Sequence, residues 1–572
     1  MFDGVKFNTF YQRRNTLSKI NNVEKQNIAK LVDEYFPFQN ANVGQKECII
    51  DAIDALINKK YKHVVIEAPT GVGKSIIAAT IHNVINYIAL KNEAPQFRTT
   101  ITTPTKGLQE QYINDKYIDI DILKGKKNYK CKVSDEIFYN NIQCRINKNN
   151  LTCDIKECEY FCERNNWTDE SEFRCTNTSM LIEMCPMICC KPNNRADMII
   201  LDECHKTQQI LLDHCMISFD LDRVKGFEKV PYGVDIMRSL SKIVTLSNNA
   251  KIGKLYSFNN KLISEITRLG ELATAAYDFI EKSIAQSSNM SKKLLDFKEY
   301  DVMETVQDLG DVCEMLGEIT TKTFMVQEKT KNSIIFKPIL ASDVAEYGIF
   351  RKADYFIHMS ATICGVDTYM QSLGIKKGYY FISVKNPIPI ENRIIHFLPI
   401  LKNSGRMDMN TIKFFVSEMD EIIDMHDNQS GIIHTVSYER AKMVVEYSRY
   451  KDIMYIPNDR NEIFEIMKSD KRHIIVSPAI EEGYDFKDDI SRFQIIMKVP
   501  YDYLGDPLIS YTSKVNPNIY FRNAVLRIVQ MCGRSVRGIN DYATTYIVDS
   551  AFESLHKKNF KYFPAWFNEA IQ

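Results

Sequence analysis

The nine residues EAPTGVGKS, Glu67 to Ser75, set two glycines, a lysine and a hydroxyl between an apolar run and a helical one. That order suits a polyphosphate. Backbone N–H groups at a helix start point at phosphate oxygens, and the helix dipole favours their charge. Gly71 and Gly73 would let the backbone approach, Lys74 would neutralise the outer phosphates, and the Ser75 hydroxyl would ligate Mg²⁺. Ala68, Pro69, Thr70 and Val72 complete the loop, with Ala68 where the usual pattern has glycine. A second segment, IILDECH at 199–205, ends a strand in two carboxylates. Asp202 would hold Mg²⁺, Glu203 would activate a water, and His205 would couple the nucleotide site to neighbouring elements. A third, QMCGRSVRG at 530–538, sets Gln530, Gly533, Arg534 and Arg537 at helical spacing. Two guanidiniums three residues apart share a helix face, suit a polyphosphate and supply charge as it breaks. Each segment alone has a bland reading: a strand–turn–helix, an acid-capped strand end, a solvated basic helix face. In this order they imply a two-lobed motor that hydrolyses a nucleotide between its lobes.

Parallel α/β sheets would position these groups. HVVIEAP at 63–69, RTTITTPT at 98–105 and ADMIILDE at 196–203 read as buried strands, and SIIAATIHNVINYIAL at 75–90 as a helix. From about 219 to 335 the pattern is helical and amphipathic, which is more often core than a binding face. Strand patterns return in SGIIHTVS at 430–437, RHIIVSP at 472–478, RFQIIMKVP at 492–500 and TTYIVDS at 544–550. The fold class is therefore α/β, with two such domains and the first interrupted twice.

The 572 residues allow about four domains of ~150 residues. With 45% hydrophobic and 26% charged residues, disordered, collagen-like and coiled-coil chains are excluded. Lys+Arg and Asp+Glu are both 73, so a nucleic-acid partner needs a local basic surface. No apolar run approaches the ~18 residues that cross a bilayer, so no membrane partner is expected. MFDGVKFNTFYQRRN lacks the apolar core of a signal peptide, which makes an intracellular protein the expectation.

Nine of the fifteen cysteines fall between 131 and 190, which in a reducing compartment reads as metal ligation. No histidine lies between His82 and His205, which disfavours a mixed Cys/His zinc site. Thiolates suit an iron–sulfur cluster, and an all-cysteine zinc site is the alternative. Lys124, Lys126, Lys127, Lys130, Lys132, Arg145 and Lys148 surround this stretch, with Tyr129, Phe138 and Tyr139 interleaved. Basic grooves with aromatic platforms suit single-stranded nucleic acid.

Over almost its whole length the chain resembles the superfamily 2 iron–sulfur helicases of the XPD/DinG group. Gln45, in NVGQKE, resembles the group's glutamine near the adenine, with Asn42 where the group has arginine. TTPTKGLQEQ at 102–111 resembles motif Ia, and HMSATICG at 358–365 resembles motif III through Ser360, Ala361 and Thr362. IIHTVSYERA at 432–441 resembles motif IV, and SPAIEEGYDF at 477–486 resembles motif V through Glu482, Gly483 and Asp485. KVPYDYLGDP at 498–507 is similar to the group's next conserved pieces, and LKGKKNYKC at 123–131 to its entry into the cluster domain.

The resemblance implies two RecA-like motor domains. It places motor domain 1 at 1–124, 176–218 and 339–375, a cluster domain at 125–175, a helical arch-like insertion at 219–338 and motor domain 2 at 376–572. It implies a 4Fe–4S cluster on Cys131, Cys144, Cys153 and Cys158, with Cys162 in reserve. ATP and Mg²⁺ follow as cofactors. A DNA helicase moving 5′-to-3′ on single strands and at DNA junctions follows as the function, serving repair, replication or recombination. A monomeric motor without an exonuclease domain is implied. The cytoplasm or nucleoid is its expected place, or the host cytoplasm if a phage encodes it. An RNA or RNA–DNA hybrid helicase and a non-catalytic nucleic-acid scaffold are the alternatives.

Overall fold

The computed structural model describes residues 16–130, 158–184, 195–286, 297–319, 321–401, 408–469, 471–478, 480 and 486–572. Cys131, Cys144, Cys153 and Asp485 lie outside the described residues, as do Glu482 and Gly483.

The first lobe is built on a seven-stranded sheet. Its strands are β1 (His63–Glu67), β2 (Thr99–Thr103), β3 (Asp121–Ile122), β4 (Phe173–Asn177), β5 (Met198–Asp202), β6 (Tyr355–Ser360) and β7 (Tyr379–Ser383). All pair in parallel, in the order β7-β1-β6-β5-β2-β4-β3. Val64 and Ile66 pack into the core on one face and Val65 into the core on the other, the period of two that a strand buried on both faces requires. On the first face lie α1 (Gln45–Ile57) and α2 (Lys74–Lys91), whose Ile49, Ile53, Ile77 and Ile81 reach the sheet core. On the second, the insertion shares one continuous core with the lobe.

The second lobe has six parallel strands: β8 (Ile395–Leu401), β9 (Gly431–His434), β10 (Met454–Tyr455), β11 (Ile474–Ser477), β12 (Phe493–Ile496) and β13 (Thr544–Asp549). Their order is β8-β13-β12-β9-β11-β10. The two sheets are the expected pair of parallel α/β lobes. No helix among the described residues is long and apolar enough to cross a membrane.

Three sequence expectations need correction. Residues 219–338 are not wholly helical. Besides the long helices α3 (Asn260–Gln286) and α4 (Phe297–Glu318), Leu255–Ser257, Thr323–Lys329 and Ser333–Lys337 join Ile217–Asp220 in a four-stranded antiparallel sheet. Alternating burial in TFMVQEK and SIIFK, hidden between longer helical patterns, makes them strands. The boundaries also move. β7 pairs with β1, so the first lobe runs past residue 375 to at least Ser383. The boundary at 175 falls inside β4, which β2 holds over its whole length.

Burial also sets the response to acid. His63, His82, His358 and His434 are buried, and burial pulls their rings down to about 2, about 3, about 3 and about 4. An unfolded histidine gains a proton below about pH 6.5 that these folded ones refuse, so each contributes stability that is full above that pH and lost below it. Asp202 and Asp311 act oppositely, because burial raises their carboxyls to about 6 and about 7. The depressed histidines outnumber the raised carboxyls, so stability should fall as pH drops from about 6 to about 5. The thermal midpoint should therefore drop over that interval; an unchanged midpoint would show that these histidines protonate freely in the folded chain.

Candidate active site

Parallel pairing brings the chemistry to one edge. Glu67 pairs with Ser360 across β1 and β6, and Asp202 pairs with Met359 across β6 and β5, so three polar strand ends sit side by side. Ligands of open α/β sheets bind beyond such carboxyl ends.

The Glu67–Ser75 loop leaves β1 here. Gly71 and Gly73 take φ of 86° and 84°, the left-handed region that a side chain would strain. A Cβ at Gly73 would also meet Gln45 Nε2 at 2.8 Å. Ala68 tolerates the position where glycine is usual because it continues the strand. Its N–H donates to Ser360 O at 2.9 Å, and its methyl is in the core. Val72 N–H donates to Pro69 O, closing the turn over Thr70. Lys74 and Ser75 open α2, and the N–H groups of a helix start can receive an anion.

Gln45 and Asn42 hold this loop from behind. Gln45 Nε2 donates to Gly73 O at 3.3 Å, and Gln45 Oε1 accepts from Asn42 N at 3.1 Å. Asn42 Nδ2 lies 3.1 Å from both Gly71 O and Val72 O. Asparagine in place of the expected arginine thus has a role of its own, one that no spacing rule announces.

The two carboxylates differ in environment. Asp202 is buried and accepts from Tyr112 Oη at 3.2 Å and from Glu203 N at 3.0 Å. Burial first, and then the charge of Glu203, raise its carboxyl. Burial also pushes Glu203 up, but the Lys74 charge and the Ser360 hydroxyl hold that carboxyl well below the usual range. Lys74 Nζ lies 3.4 Å from Glu203 Oε1. Glu203 has φ 48° and ψ 48°, a left-handed conformation uncommon for a non-glycine residue.

From Glu203 a hydrogen-bond chain runs to the second lobe. Ser360 Oγ donates to Glu203 Oε2 at 3.1 Å, and His205 Nδ1 lies 2.8 Å from Ser360 Oγ. Gln530 Nε2 lies 2.8 Å from His205 Nε2. An amide nitrogen only donates, so His205 accepts at Nε2 and carries its proton at Nδ1. Every link then points one way, from Gln530 to Glu203.

The arginines do not share a helix face, contrary to their spacing. The helix α5 (Pro517–Cys532) ends with Gly533 as its cap, and Arg534 and Arg537 lie in the loop beyond. Arg537 N–H donates to Asp541 Oδ2 at 3.0 Å, which fixes the loop. A Cβ at Gly71 would lie 3.3 Å from Arg537 O, so this loop abuts the phosphate loop. The structure therefore gathers Lys74, Asp202, Glu203, His205, Gln530 and the Arg537 backbone at one cleft. Glu67, Tyr112 and Arg522 join them, though sequence reasoning passed over all three.

The cysteine region is described in part. Cys158 caps the helix Glu159–Asn165 and Cys162 lies on it, four residues on and therefore on the same face. Among the described residues no group of three or more His, Cys, Asp or Glu could hold a metal ion. Cys175 is buried in β4. Tyr129 is no stacking platform: it is buried, its hydroxyl accepts from Lys124 N at 3.1 Å, and its ring packs edge-on against Tyr160.

Two family models match the chain. A model described as "Type III restriction enzyme, res subunit" matches residues 40–215, and "Helicase C-terminal domain" matches 416–570. The ATP-dependent DNA helicase CHL1 of Candida albicans is 27% identical over 184 residues, 28% of this chain and 21% of that protein. Its namesake from Scheffersomyces stipitis is 28% identical over 117 residues, 17% of this chain and 14% of that protein. The chain thus spans about a fifth or less of the curated relatives it matches. The solved structures XPD_APO and S. tokodaii Xpd4 give TM-scores of 0.49 and 0.48 at 14% and 16% identity. They cover 90% and 92% of this chain, and 98% and 99% of their own.

Proposed function

We propose that this chain is an XPD/DinG-like superfamily 2 helicase, in which ATP hydrolysis in the cleft drives it along single-stranded DNA and separates duplexes. The observation that carries this is the directional chain from Gln530 through His205 and Ser360 to Glu203. It ties the group placed to activate water to the opposite lobe, so hydrolysis and lobe movement report to each other. Glu203, held ionised, accepts a proton from the attacking water. Lys74 and the N-terminus of α2 hold the phosphates, and Arg534 and Arg537 add positive charge from the second lobe. Mg²⁺, when bound at Ser75 and Asp202, offsets phosphate charge. Both halves of the nucleotide site come from one chain, which supports a monomeric motor.

Movement 5′-to-3′, use of DNA junctions and work in repair, replication or recombination extend the same reading. An intracellular place, cytoplasmic or nucleoid-associated, goes with it. Strand displacement on matched DNA and RNA duplexes, with single-stranded tails of each polarity, tests them. Unwinding of RNA alone would overturn the DNA reading, and absence of nucleic-acid-stimulated hydrolysis would overturn the motor.

The thiols of Cys158 and Cys162 fit an iron–sulfur cluster by donor chemistry, because thiolates are its ordinary ligands. Protein purified without oxygen should carry about four irons per chain with matching sulfide. Cys158→Ser should lose the iron and Cys162→Ser should keep it. About one zinc and no iron would place a structural zinc there instead.

A further inference from the structure

The strongest feature outside the hydrogen-bond chain is a second junction between the lobes. Arg522, on α5, is 1% exposed. Its Nε and Nη2 donate to Ile363 O at 3.1 and 2.6 Å. Its guanidinium also lies 5.5 Å from the centre of the Tyr369 ring. A guanidinium buried against a backbone carbonyl is costly, so packing alone does not account for it. The same peptide unit is held from its other side: Glu67 Oε1 accepts from Cys364 N at 3.2 Å and from Ile363 N at 2.7 Å. Glu67 itself is buried, at the end of β1 immediately before the phosphate loop. Cys364, between the two grips, has φ 55°, a left-handed conformation that a non-glycine residue keeps only when its surroundings impose it. Next to it, Gly365 has φ 88°, and a Cβ there would meet Tyr562 of the second lobe at 2.4 Å. The 363–365 turn is therefore clamped by both lobes.

We propose that Arg522 is a positioning residue that passes movement of the second lobe to the phosphate loop through a single peptide unit. Arg522 pulls on the carbonyl of that unit, Glu67 holds its amide, and Glu67 leads directly into Ala68 and the nucleotide cradle. This rests on the motor reading above. It differs from the Gln530 chain in what it moves: that chain acts on the carboxylate that activates water, whereas Arg522 acts on the seat of the phosphates.

The test compares the full chain with Arg522→Met and Arg522→Lys. Three quantities are measured: ATP hydrolysis at saturating single-stranded DNA, the KM for ATP, and base pairs unwound per ATP consumed. Arg522→Met should lower kcat at least about tenfold and lower base pairs unwound per ATP, with KM for ATP changed by less than about twofold. Arg522→Lys keeps the charge with fewer aligned donors and should recover part of both losses. A residue that only supports the fold would lower the active fraction and leave base pairs per ATP unchanged. That result, in a variant with normal circular dichroism, overturns the proposal. If Arg522→Met does not fold, the same ratio in Arg522→Lys decides. If the wild-type chain itself hydrolyses no ATP with DNA, the motor reading fails, and solution scattering judges the latch alone. A larger radius of gyration in Arg522→Met or Arg522→Lys than in wild type supports it, and an equal radius overturns it.

Discussion

Glu203→Gln should abolish strand separation, and Lys74→Ala should do the same, while both proteins should still bind single-stranded DNA with wild-type affinity. The substitutions act on the same pair from opposite ends, since Lys74 Nζ lies 3.4 Å from Glu203 Oε1. Glutamine keeps the size of Glu203 and can still accept from Ser360, but it cannot take a proton from water. Loss of a general base costs ~10²–10⁴ in rate. Lys74→Ala removes a phosphate-neutralising charge. It also removes the strongest influence holding Glu203 ionised against burial. Its kcat should fall at least as far, and its ATP affinity should fall too, whereas Glu203→Gln leaves ATP binding intact. Single-turnover hydrolysis, fluorescent-nucleotide titration and DNA anisotropy separate the three effects. Wild-type hydrolysis in Glu203→Gln would remove Glu203 from its assigned role.

Gln530→Ala should lower DNA-stimulated hydrolysis by about 10–100-fold with little change in ATP affinity. Gln530 reaches no carboxylate directly. It donates to His205 Nε2, which fixes the ring with its proton on Nδ1, facing Ser360 Oγ. Without that bond the imidazole can turn or take the other tautomer, and the Ser360 hydroxyl loses the donor that orients it toward Glu203. His205→Ala breaks the same chain one link on. The double variant should therefore be little worse than either single one, as expected for residues acting as a unit. Multiplicative losses in the double variant would mean that the two residues work separately, and the chain of bonds would lose its meaning.

The strands that carry the site were legible because each has its own pattern. HVVIE, MIILD, GIIH and IIVS are apolar runs buried on both faces, and each falls within a stretch read as a strand. The places of Lys74, Ser75, Asp202 and Glu203 were legible for the same reason, since they fall at the helix start and strand end that those patterns predict. The arginines were placed on a helix face because their spacing allows it. A glycine cap and the Asp541 carboxylate, neither readable from a three-residue interval, put them in a loop instead. The insertion sheet was missed because its strands are short and lie among longer helical patterns: Thr323–Lys329 and Ser333–Lys337 form a brief hairpin, and Ile217 joins them through Phe336 from over a hundred positions away.

Sequence alone singled out the residues proposed to bind phosphate and activate water, because such roles depend on side-chain chemistry within a few neighbouring positions. Only the tertiary structure decided how the lobes speak to each other. Asn42 behind the phosphate loop, Tyr112 on Asp202, Gln530 on His205, and Arg522 and Glu67 on one peptide unit all join residues distant in the chain. Such bonds belong to no motif. They exist because parallel strands bring their carboxyl ends into line and the second lobe closes over that line, and no spacing along the chain encodes that meeting.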